Sequence, residues 1–442
     1  MISKGYKHTK LGILPIDWEV VRLGEVCNFL KTYSKSRSDL SESQNCIDGV
    51  AYIHYGDIHT KFKHFLDMDK DILPSIDSKK LAEDLEDIVF VENGDLVIAD
   101  ASEDYEDIGK SVEVKNLSNP TVSGLHTILC RDKSNYFANG YKGYMFSLYK
   151  VHKQIKRLAC GISVLGISRS NLSKIQIPLP PLAEQEKIAE ILSTWDTQIQ
   201  NFESLITEKQ NLKKGLCQTL LTAKTRLKGF SEDWEAVRLG EVCEICNGFA
   251  FQSKNFKKNG FPIVRISNIK SNNTISLEDM VYFSFDDYKN RDLNKFAIYQ
   301  NDILVALSGA TTGKIGKLKE NVVLYLNQRV GKFQPSERLN NDFLYQCLLL
   351  QSNFLFLLSG GGAQPNLSTA TIKDKVLISL PPLAEQEKIA EILSEADNEI
   401  TLLEQKLESL KYQKKGLMQN LLNGKVRVKY NKKNISIIKD RK

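Results

Sequence analysis

The chain has 442 residues, of which 42% are hydrophobic and 26% are charged, so it can form two or three globular domains with ordinary cores. Its net charge is +6, but the last 18 residues alone carry +7, so overall charge does not argue for nucleic-acid binding. Eight scattered cysteines and the lack of a signal peptide predict a cytoplasmic location, and the most apolar stretch, residues 343–358, is too short to cross a membrane.

The first segment, residues 1–178, is predicted to be a mixed α+β unit. Short β-rich tracts at 52–58 and 95–99 alternate with Gly, Asn and Ser breaks, and a helix is predicted around 141–158. Residues 67–107 hold fifteen acidic and three basic side chains. Because such a block repels phosphate, we expect it to face solvent or a partner protein.

A long helix is predicted over residues 179–225. An apolar strand at 175–178 leads into a Pro-Pro pair, which suits a helix start, and acidic residues follow in the first turn. About 40 residues at 1.5 Å each give a helix of roughly 60 Å. Its apolar seam consists of Ile188, Leu192, Trp195, Ile199, Phe202 and Ile206.

The whole arrangement then recurs. The string LPPLAEQEKIAEIL at 179–192 returns unchanged at 380–393, and DWEVVRLGEVC at 17–27 returns with one substitution at 233–243. Residues 226–379 therefore form a second variable α+β unit. Its β tracts are predicted at 263–269, 303–307 and 322–326, with a helix at 342–358.

The second long helix is predicted over residues 380–424, before a basic tail at 425–442. Its heptad seam, which only Lys414 interrupts, consists of Ile389, Leu393, Ile400, Leu403, Leu407 and Leu410. Stripes of this length must be buried against another helix. The duplication predicts an antiparallel coiled coil of the two long helices with pseudo-two-fold symmetry; the alternative is that each helix packs on its own globular unit.

Recognisable catalytic chemistry is missing from the sequence. There is no Pro-Asp…Glu-x-Lys nuclease pattern and no Asp/Asn-Pro-Pro-Tyr/Phe methyltransferase tetrapeptide. The loop 309–315 imitates a phosphate loop but is one residue short and lacks the Ser/Thr after its lysine. Cys243 and Cys246 have no second ligand pair, and the spacing of His54, His59 and His64 fits neither a helix face nor a strand face. We therefore predict a non-enzymatic chain without metal or cofactor.

The duplicated LPPLAEQEKIAEIL element, each copy opening a long helix after a divergent unit, resembles the specificity subunit of type I restriction-modification systems over essentially the whole chain. The resemblance implies target-recognition domains at 1–178 and 226–379, each recognising one half of a bipartite site in double-stranded DNA. It also implies that the conserved spacer helices, 179–225 and 380–424, dock two methyltransferase subunits. Restriction and translocation subunits join the full complex.

Membership of this family would account both for the near-identity of the two long helices and for the divergence of the two units. Divergent units suit different half-sites, whereas near-identical helices suit a repeated partner. A rigid rod would fix the spacer, because half-sites one DNA turn apart, about 34–36 Å, lie on one face of the duplex.

Candidate DNA-contacting residues lie in loops after β tracts and carry groups that can bind base edges or phosphates. A structural role for any single one is about as probable on sequence grounds. In the first unit they are His54, Asp57, Lys61, Lys110, His126 and Arg131. In the second unit they are Arg265, Asn268, Ser308, Thr311, Thr312, Lys314, Asn327, Gln328 and Arg329.

Two rival functions remain open at this level. The heptads and the acidic block would also suit a coiled-coil assembly scaffold without DNA recognition, although the duplication weighs against it. An autonomous nuclease or methyltransferase is disfavoured by the missing motifs.

Overall fold

The computed structural model describes residues 4–41, 49–77, 88–360 and 365–429. The chain divides into two compact units, one formed by residues 1–202 with 406–442 and the other by residues 203–405. Both divisions fall inside long helices, Leu182–Leu220 and Leu383–Leu422. Each unit thus contains one variable segment, the start of one long helix and the end of the other. In the described ranges, no helix is both long and apolar enough to cross a membrane.

The first unit is built on a five-stranded sheet and a three-stranded sheet. The central strand Leu96–Ala99 is buried along its whole length, as expected of a β-branched, aliphatic run. The five strands, in spatial order, are Cys27–Leu30, Thr127–Asp132, Leu96–Ala99, Ser111–Lys115 and Phe65–Asp67. The three-stranded sheet is Thr121–Ser123, Gly49–Ile53 and Ser75–Asp77.

Short elements complete the first unit. Its remaining strands are Tyr6–Thr9, Gly12–Pro15, Glu19–Arg22, Ala101–Ser102, Leu165–Gly166 and Gln176–Leu179. Its short helices are Leu23–Val26, Arg37–Asp39, Tyr55–Thr60, Lys142–Met145, Tyr149–Leu158 and Arg169–Leu172.

The second unit repeats this plan with two four-stranded sheets. The first is Cys243–Asn247, Val330–Pro335, Ile303–Ala306 and Ile315–Lys317. The second is Val281–Phe283, Phe261–Val264, Leu324–Leu326 and Ala297–Ile298. Glu235–Arg238 and Leu377–Leu380 form a separate pair. The short helices are Leu239–Val242, Ser253–Asn255, Ile266–Asn268, Phe285–Tyr288, Asn294–Phe296, Asn341–Leu350, Ser352–Leu357 and Thr369–Lys375.

The predicted α+β class and the two long helices are confirmed, but several local predictions were wrong. The tract 52–58 is a strand only to Ile53 and then becomes the helix Tyr55–Thr60. Likewise 263–269 ends in a 3-10 turn, Ile266–Asn268. Both side-chain patterns were apolar enough for a strand, but a helical turn begins directly after His54 and after Arg265, which the pattern does not reveal.

Two other helices are interrupted. The predicted helix at 141–158 breaks between Met145 and Tyr149, and that at 342–358 breaks at Gln351. At the first break the apolar residues Phe146 and Leu148 continue the pattern, whereas the second break coincides with the polar residues Gln351, Ser352 and Asn353.

The recurring DWE motif has a clear structural role. In the first unit Glu19–Arg22 pairs antiparallel with Gln176–Leu179, the strand that enters the first long helix. In the second unit Glu235–Arg238 pairs in the same way with Leu377–Leu380. The repeated sequence therefore forms the strand that pairs with the strand leading into each long helix.

Within each unit the two long helices pack antiparallel. In the first unit the carboxylate of Asp196 forms an ion pair with Lys414, and the ammonium of Lys406 lies 5.5 Å from the ring centroid of Phe202. Residue numbers thus rise along one helix as they fall along the other. Ile188, Leu192, Leu421 and Leu422 lie in one hydrophobic core.

The second unit shows the equivalent contacts. Lys213 forms a 2.6 Å ion pair with Asp397, and Lys209 forms a 2.7 Å ion pair with Glu399. The predicted antiparallel coiled coil is confirmed. Lys414, which interrupts the apolar heptads, lies at the contact between the two helices. It is 7% exposed and pairs with the opposite helix.

Candidate nucleic-acid interface

In the first unit, an aromatic and histidine cluster surrounds the helix Tyr55–Thr60. His54 caps this helix, since its Nδ1 accepts a hydrogen bond from the Gly56 amide at 3.1 Å. The ring of Tyr55 lies 4.7 Å from that of His54, 6.1 Å from His59 and 5.3 Å from His126, measured between centroids. Tyr55 is therefore the centre of the cluster, and the sequence-based set omitted it.

The polar groups around this cluster are linked to each other. His126, whose φ of 53° is left-handed, lies 3.3 Å from Asp100, and burial raises the pKa of that carboxyl. Lys110 donates to the carbonyl of His59 at 2.7 Å. Burial lowers the pKa of His54, so this cap is neutral at pH 7. A strained backbone at a histidine is typical of functional loops.

Asp57 and Lys61 lie on the same helix. Asp57 is buried and accepts from Arg37 at 2.8 Å and from Lys61 at 2.9 Å. Its oxygens are thus already used within the protein, whereas Lys61 has 46% of its side chain exposed. Five of the six predicted residues of this unit therefore meet around one helix.

Arg131 is the sixth, and its guanidinium is bound within the unit. It contacts Asp95 at 2.7 Å, Glu92 at 2.5 Å and the carbonyl of Phe90 at 2.7 Å. Asp95 is 2% exposed, so Arg131 neutralises a buried carboxylate. This environment is that of a structural residue.

In the second unit, Arg265 follows the strand Phe261–Val264 and Asn268 lies at the end of the next turn. Asn268 is 2% exposed, accepts from the Arg265 amide at 2.9 Å and donates to two backbone carbonyls. It holds the turn. Arg265 donates to the carbonyl of Asp279 at 3.0 Å, while its buried Nε has no hydrogen-bond partner among the described residues.

The loop after the strand Ile303–Ala306 contains three further candidates, Ser308, Thr311 and Thr312, whose hydrogen bonding differs. Thr312 is buried and donates to the carbonyl of Gly309 at 2.6 Å, so it supports the loop. The hydroxyls of Ser308 and Thr311 are buried and find no hydrogen-bond partner in the described part of the chain.

Lys314 ends this loop and is half-buried. Its amide bonds to the carbonyl of Thr311 at 3.0 Å. Gly313, just before it, has a φ of 81°, and a Cβ there would lie 2.8 Å from the Phe356 amide nitrogen. Only glycine fits this turn, so the Gly-Lys pair that looked like part of a phosphate loop is a packing requirement.

Asn327, Gln328 and Arg329 form the turn between Leu324–Leu326 and Val330–Pro335. Gln328 and Arg329 are exposed. The Leu307 amide donates to the carbonyl of Arg329 at 2.9 Å, which joins this turn to the loop of Ser308 and Thr311.

The two units place their candidates in corresponding positions. In each, two strands run parallel, Gly49–Ile53 with Thr121–Ser123 in the first and Phe261–Val264 with Leu324–Leu326 in the second. Parallel strands end at the same edge of a sheet, so the residues that follow them lie together. His54 and the turn of His126 occupy this edge in the first unit. Arg265 and the turn 327–329 occupy it in the second.

No cluster of metal-binding side chains occurs within the described ranges. Cys243 is buried, which raises the pKa of its thiol to about 12, and Cys246 donates to the side chain of Gln334 at 2.9 Å. His64 lies apart from the other two regularly spaced histidines, beside Ser147 and Tyr144.

The identical motif of the long helices includes two buried polar residues with structural roles. Glu184 accepts from the Trp18 indole at 2.8 Å and from Arg427 at 2.7 Å. Glu385 accepts from Trp234 at 3.0 Å and from Arg226 at 2.9 Å. Arg427 lies at the start of the basic tail, most of which, residues 430–442, lies outside the described residues.

The glutamine after each glutamate has an equivalent role. Gln185 accepts from the amide of Ala138 and Gln386 from that of Asn340, at 3.0 and 2.8 Å. Part of the sequence identity between the long helices is therefore explained by the attachment of each helix to its unit.

The chain is a tandem pair of variable α+β units, each of which leads into a long helix. The family model described as "Type I restriction modification DNA specificity domain" matches residues 15–210 and 231–412. The chain belongs to the family of type I restriction-modification specificity subunits.

Full-length relatives agree with this assignment. The chain is 30% identical over 435 residues to the type I restriction enzyme MjaVIII specificity subunit of Methanocaldococcus jannaschii, with 94% of both chains covered. It is 27% identical to the putative MjaX specificity subunit of the same organism, over 97% of this chain and 98% of the relative. A crystal structure of the type I S subunit from M. genitalium has the same fold, with a TM-score of 0.57 at 15% identity over 92% of this chain and 96% of that one.

Proposed function

We propose that this chain is the non-catalytic DNA-recognition subunit of a cytoplasmic type I restriction-modification complex, with each unit binding one half of a bipartite site. The observation that carries this proposal is the duplicated polar edge. Each unit presents cationic and polar side chains after the same parallel strand pair, while the sequences of the two edges differ. Recognition of two different half-sites requires different side chains at corresponding positions of the two units.

The second unit offers the more specific candidates for contacts with DNA bases. Gln328 and Arg329 are exposed on a turn, and an amide and a guanidinium are the groups that bind adenine and guanine bidentately in the major groove. Arg265, Ser308 and Thr311 each have one buried side-chain atom without a hydrogen-bond partner in the described part of the protein, so this loop would have to move before DNA could contact these atoms.

The long helices are proposed to set the spacer between half-sites. A helix of 39 residues is about 58 Å long at 1.5 Å per residue. Lengthening both helices by one turn, about 5.4 Å, is expected to widen the preferred spacer by one or two base pairs. Methylation mapping of genomic DNA would test this, and an unchanged spacer would refute it.

The repeated helix surface is proposed to dock two methyltransferase subunits, through which restriction and translocation subunits join. Buried motif residues are explained by attachment to the units, but the identity extends to solvent-facing positions. The exposed identical positions are Glu186 and Glu190 in the first copy, and Glu387 and Glu391 in the second. A paired Glu186→Lys and Glu387→Lys variant is expected to fold normally and lose the methyltransferase in co-purification.

The decisive experiment is methylation of a site library by the chain co-expressed with its methyltransferase. Gln328→Ala is expected to lose discrimination at one base pair, whereas Lys314→Ala is expected to weaken all sequences alike. A coiled-coil scaffold without DNA recognition would give no sequence-dependent signal with any variant. The unmodified chain incubated alone with DNA and cofactors tests for autonomous catalysis.

A further inference from the structure

A cleft of about 460 Å³ lies within the first unit, beside the histidine cluster. Its walls come from the loops around Lys63 and Glu106, the start of the helix Tyr149–Leu158 and the end of the second long helix. We call it the basic cleft, because five ammonium groups line it. These belong to Lys63, Lys110, Lys411, Lys414 and Lys415.

The carboxylates of the cleft offset only part of this charge. Glu106 is paired with Lys156 at 2.5 Å, and Asp196 is paired with Lys414. Asp107 is the remaining lining carboxylate, and it forms no ion pair with a described residue. Counted over the lining side chains, the lysines exceed the carboxylates by two.

The positive field acts on a neighbouring buried group. Burial is the first cause that lowers the pKa of His64, to about 4; the charges of Lys414 and Lys63 lower it further, and that of Asp196 partly opposes them. His64 is therefore neutral at pH 7 and adds no charge of its own. An anion in the cleft would oppose the two lysines and raise this pKa.

The cleft continues from the candidate DNA-binding edge. Lys110 lines the cleft and also bonds to the carbonyl of His59, on the helix that carries Tyr55 and Lys61. A duplex bound at that helix would bring its backbone to the mouth of the cleft. The second long helix adds the exposed Lys415 and also Lys411, which pairs with Glu408 at 3.4 Å, and these would then meet phosphates that the edge itself does not reach.

We propose that the basic cleft binds a backbone phosphate of the duplex next to the first half-site, a contact that rests on the proposed function and adds the second long helix to the DNA interface. This contact would be independent of sequence, as phosphate contacts are, and would orient the first unit on DNA. Asp107 would face the phosphate and weaken the contact.

The duplication supplies a matched control. Lys214 occupies the position in the first long helix that Lys415 occupies in the second, and it is exposed in the second unit. There Lys317 pairs with Asp342 and lies 5.6 Å from the ring centroid of Tyr345. Lys214→Gln removes the same charge from the same chain without touching the basic cleft.

The test measures DNA affinity of the full chain against salt concentration. Each lost phosphate contact should reduce the slope of log affinity against log salt by about 0.9. Lys63→Gln with Lys415→Gln is expected to lower affinity for cognate and non-cognate duplexes alike and to reduce the slope by about 1 to 2. Lys214→Gln should leave the slope unchanged. Asp107→Asn should strengthen binding at low salt by about fivefold, the value of one unit charge removed near 4 Å in water.

A neutral methylphosphonate scanned along the duplex locates the phosphate. One position beside the first half-site should weaken the wild-type chain and leave the double lysine variant unaffected. Unchanged slopes in the double variant, or an equal loss in Lys214→Gln, would overturn the proposal. So would tight binding of inorganic pyrophosphate that does not compete with DNA. If the wild-type chain shows no sequence-dependent binding, the proposed function itself fails, and the inference fails with it.

Discussion

Replacing Lys414 with methionine would test how the buried ion pair holds the first unit together. Methionine keeps the length of the side chain and fills the seam, but among the described residues it leaves the Asp196 carboxylate with only the Tyr144 hydroxyl, which donates at 2.6 Å. Breaking a buried pair on one side costs about 3–5 kcal/mol. Because 27% of the Asp196 side chain is exposed, we expect a loss of about 2–3 kcal/mol in the free energy of unfolding.

The assay is urea unfolding at pH 7.5, followed by circular dichroism, on a full double-mutant cycle. Asp196→Leu combined with Lys414→Met should recover most of the loss, because an apolar pair often replaces a buried ion pair without cost. The matched control is Lys213→Met in the second unit. Its partner Asp397 is 34% exposed, so the loss should be smaller. The reasoning would be refuted if Lys414→Met had the same free energy of unfolding as the wild-type chain. It would also be refuted if the double variant were less stable than the single variant.

Three further outcomes are expected. The pKa of His64 is about 4 in the folded chain and about 6.5 in the unfolded chain, so the unfolded chain binds more protons between these pH values. The free energy of unfolding should therefore fall by at most about 3 kcal/mol as the pH drops from 7 to 4. His64→Gln should make the urea midpoint less dependent on pH. Arg131→Ala should lower stability by about 2–3 kcal/mol through the buried Asp95, with unchanged base preference in methylation mapping; altered preference would make Arg131 a base contact. Arg226→Ala should lower the melting temperature by leaving Glu385 with the Trp234 indole alone, and an unchanged melt would contradict that role.

The repeat and the heptads were sufficient to predict the architecture, because both are written directly in the sequence. The exception is instructive. Lys414 breaks the apolar pattern, and only the structure reveals Asp196 opposite it on the other helix. A one-dimensional pattern identifies which residues face a seam, but it does not identify what each one meets there.

The sequence placed the candidate residues in loops after β tracts but could not assign their individual roles. Two of them, Asn268 and Thr312, are buried supports of those loops. Amide and hydroxyl side chains serve turns and ligands equally well, so composition cannot separate the two roles. Tyr55 was missed because an isolated aromatic next to a histidine carries no periodic signal, although its ring organises the cluster.

The first compact unit combines residues 1–202 with residues 406–442, so its last part is synthesised roughly 200 residues after its first. At about 5–20 residues per second, the ribosome needs roughly 10 to 40 s to deliver the missing helix. During that interval the apolar stripe of Ile188, Leu192 and Ile199 lacks the side chains of Met418 and Leu421. These two residues belong to the same hydrophobic core as Ile188 and Leu192. Translation speed and chaperone supply, rather than equilibrium stability alone, would then decide how much of this protein reaches its assembled form in the cell.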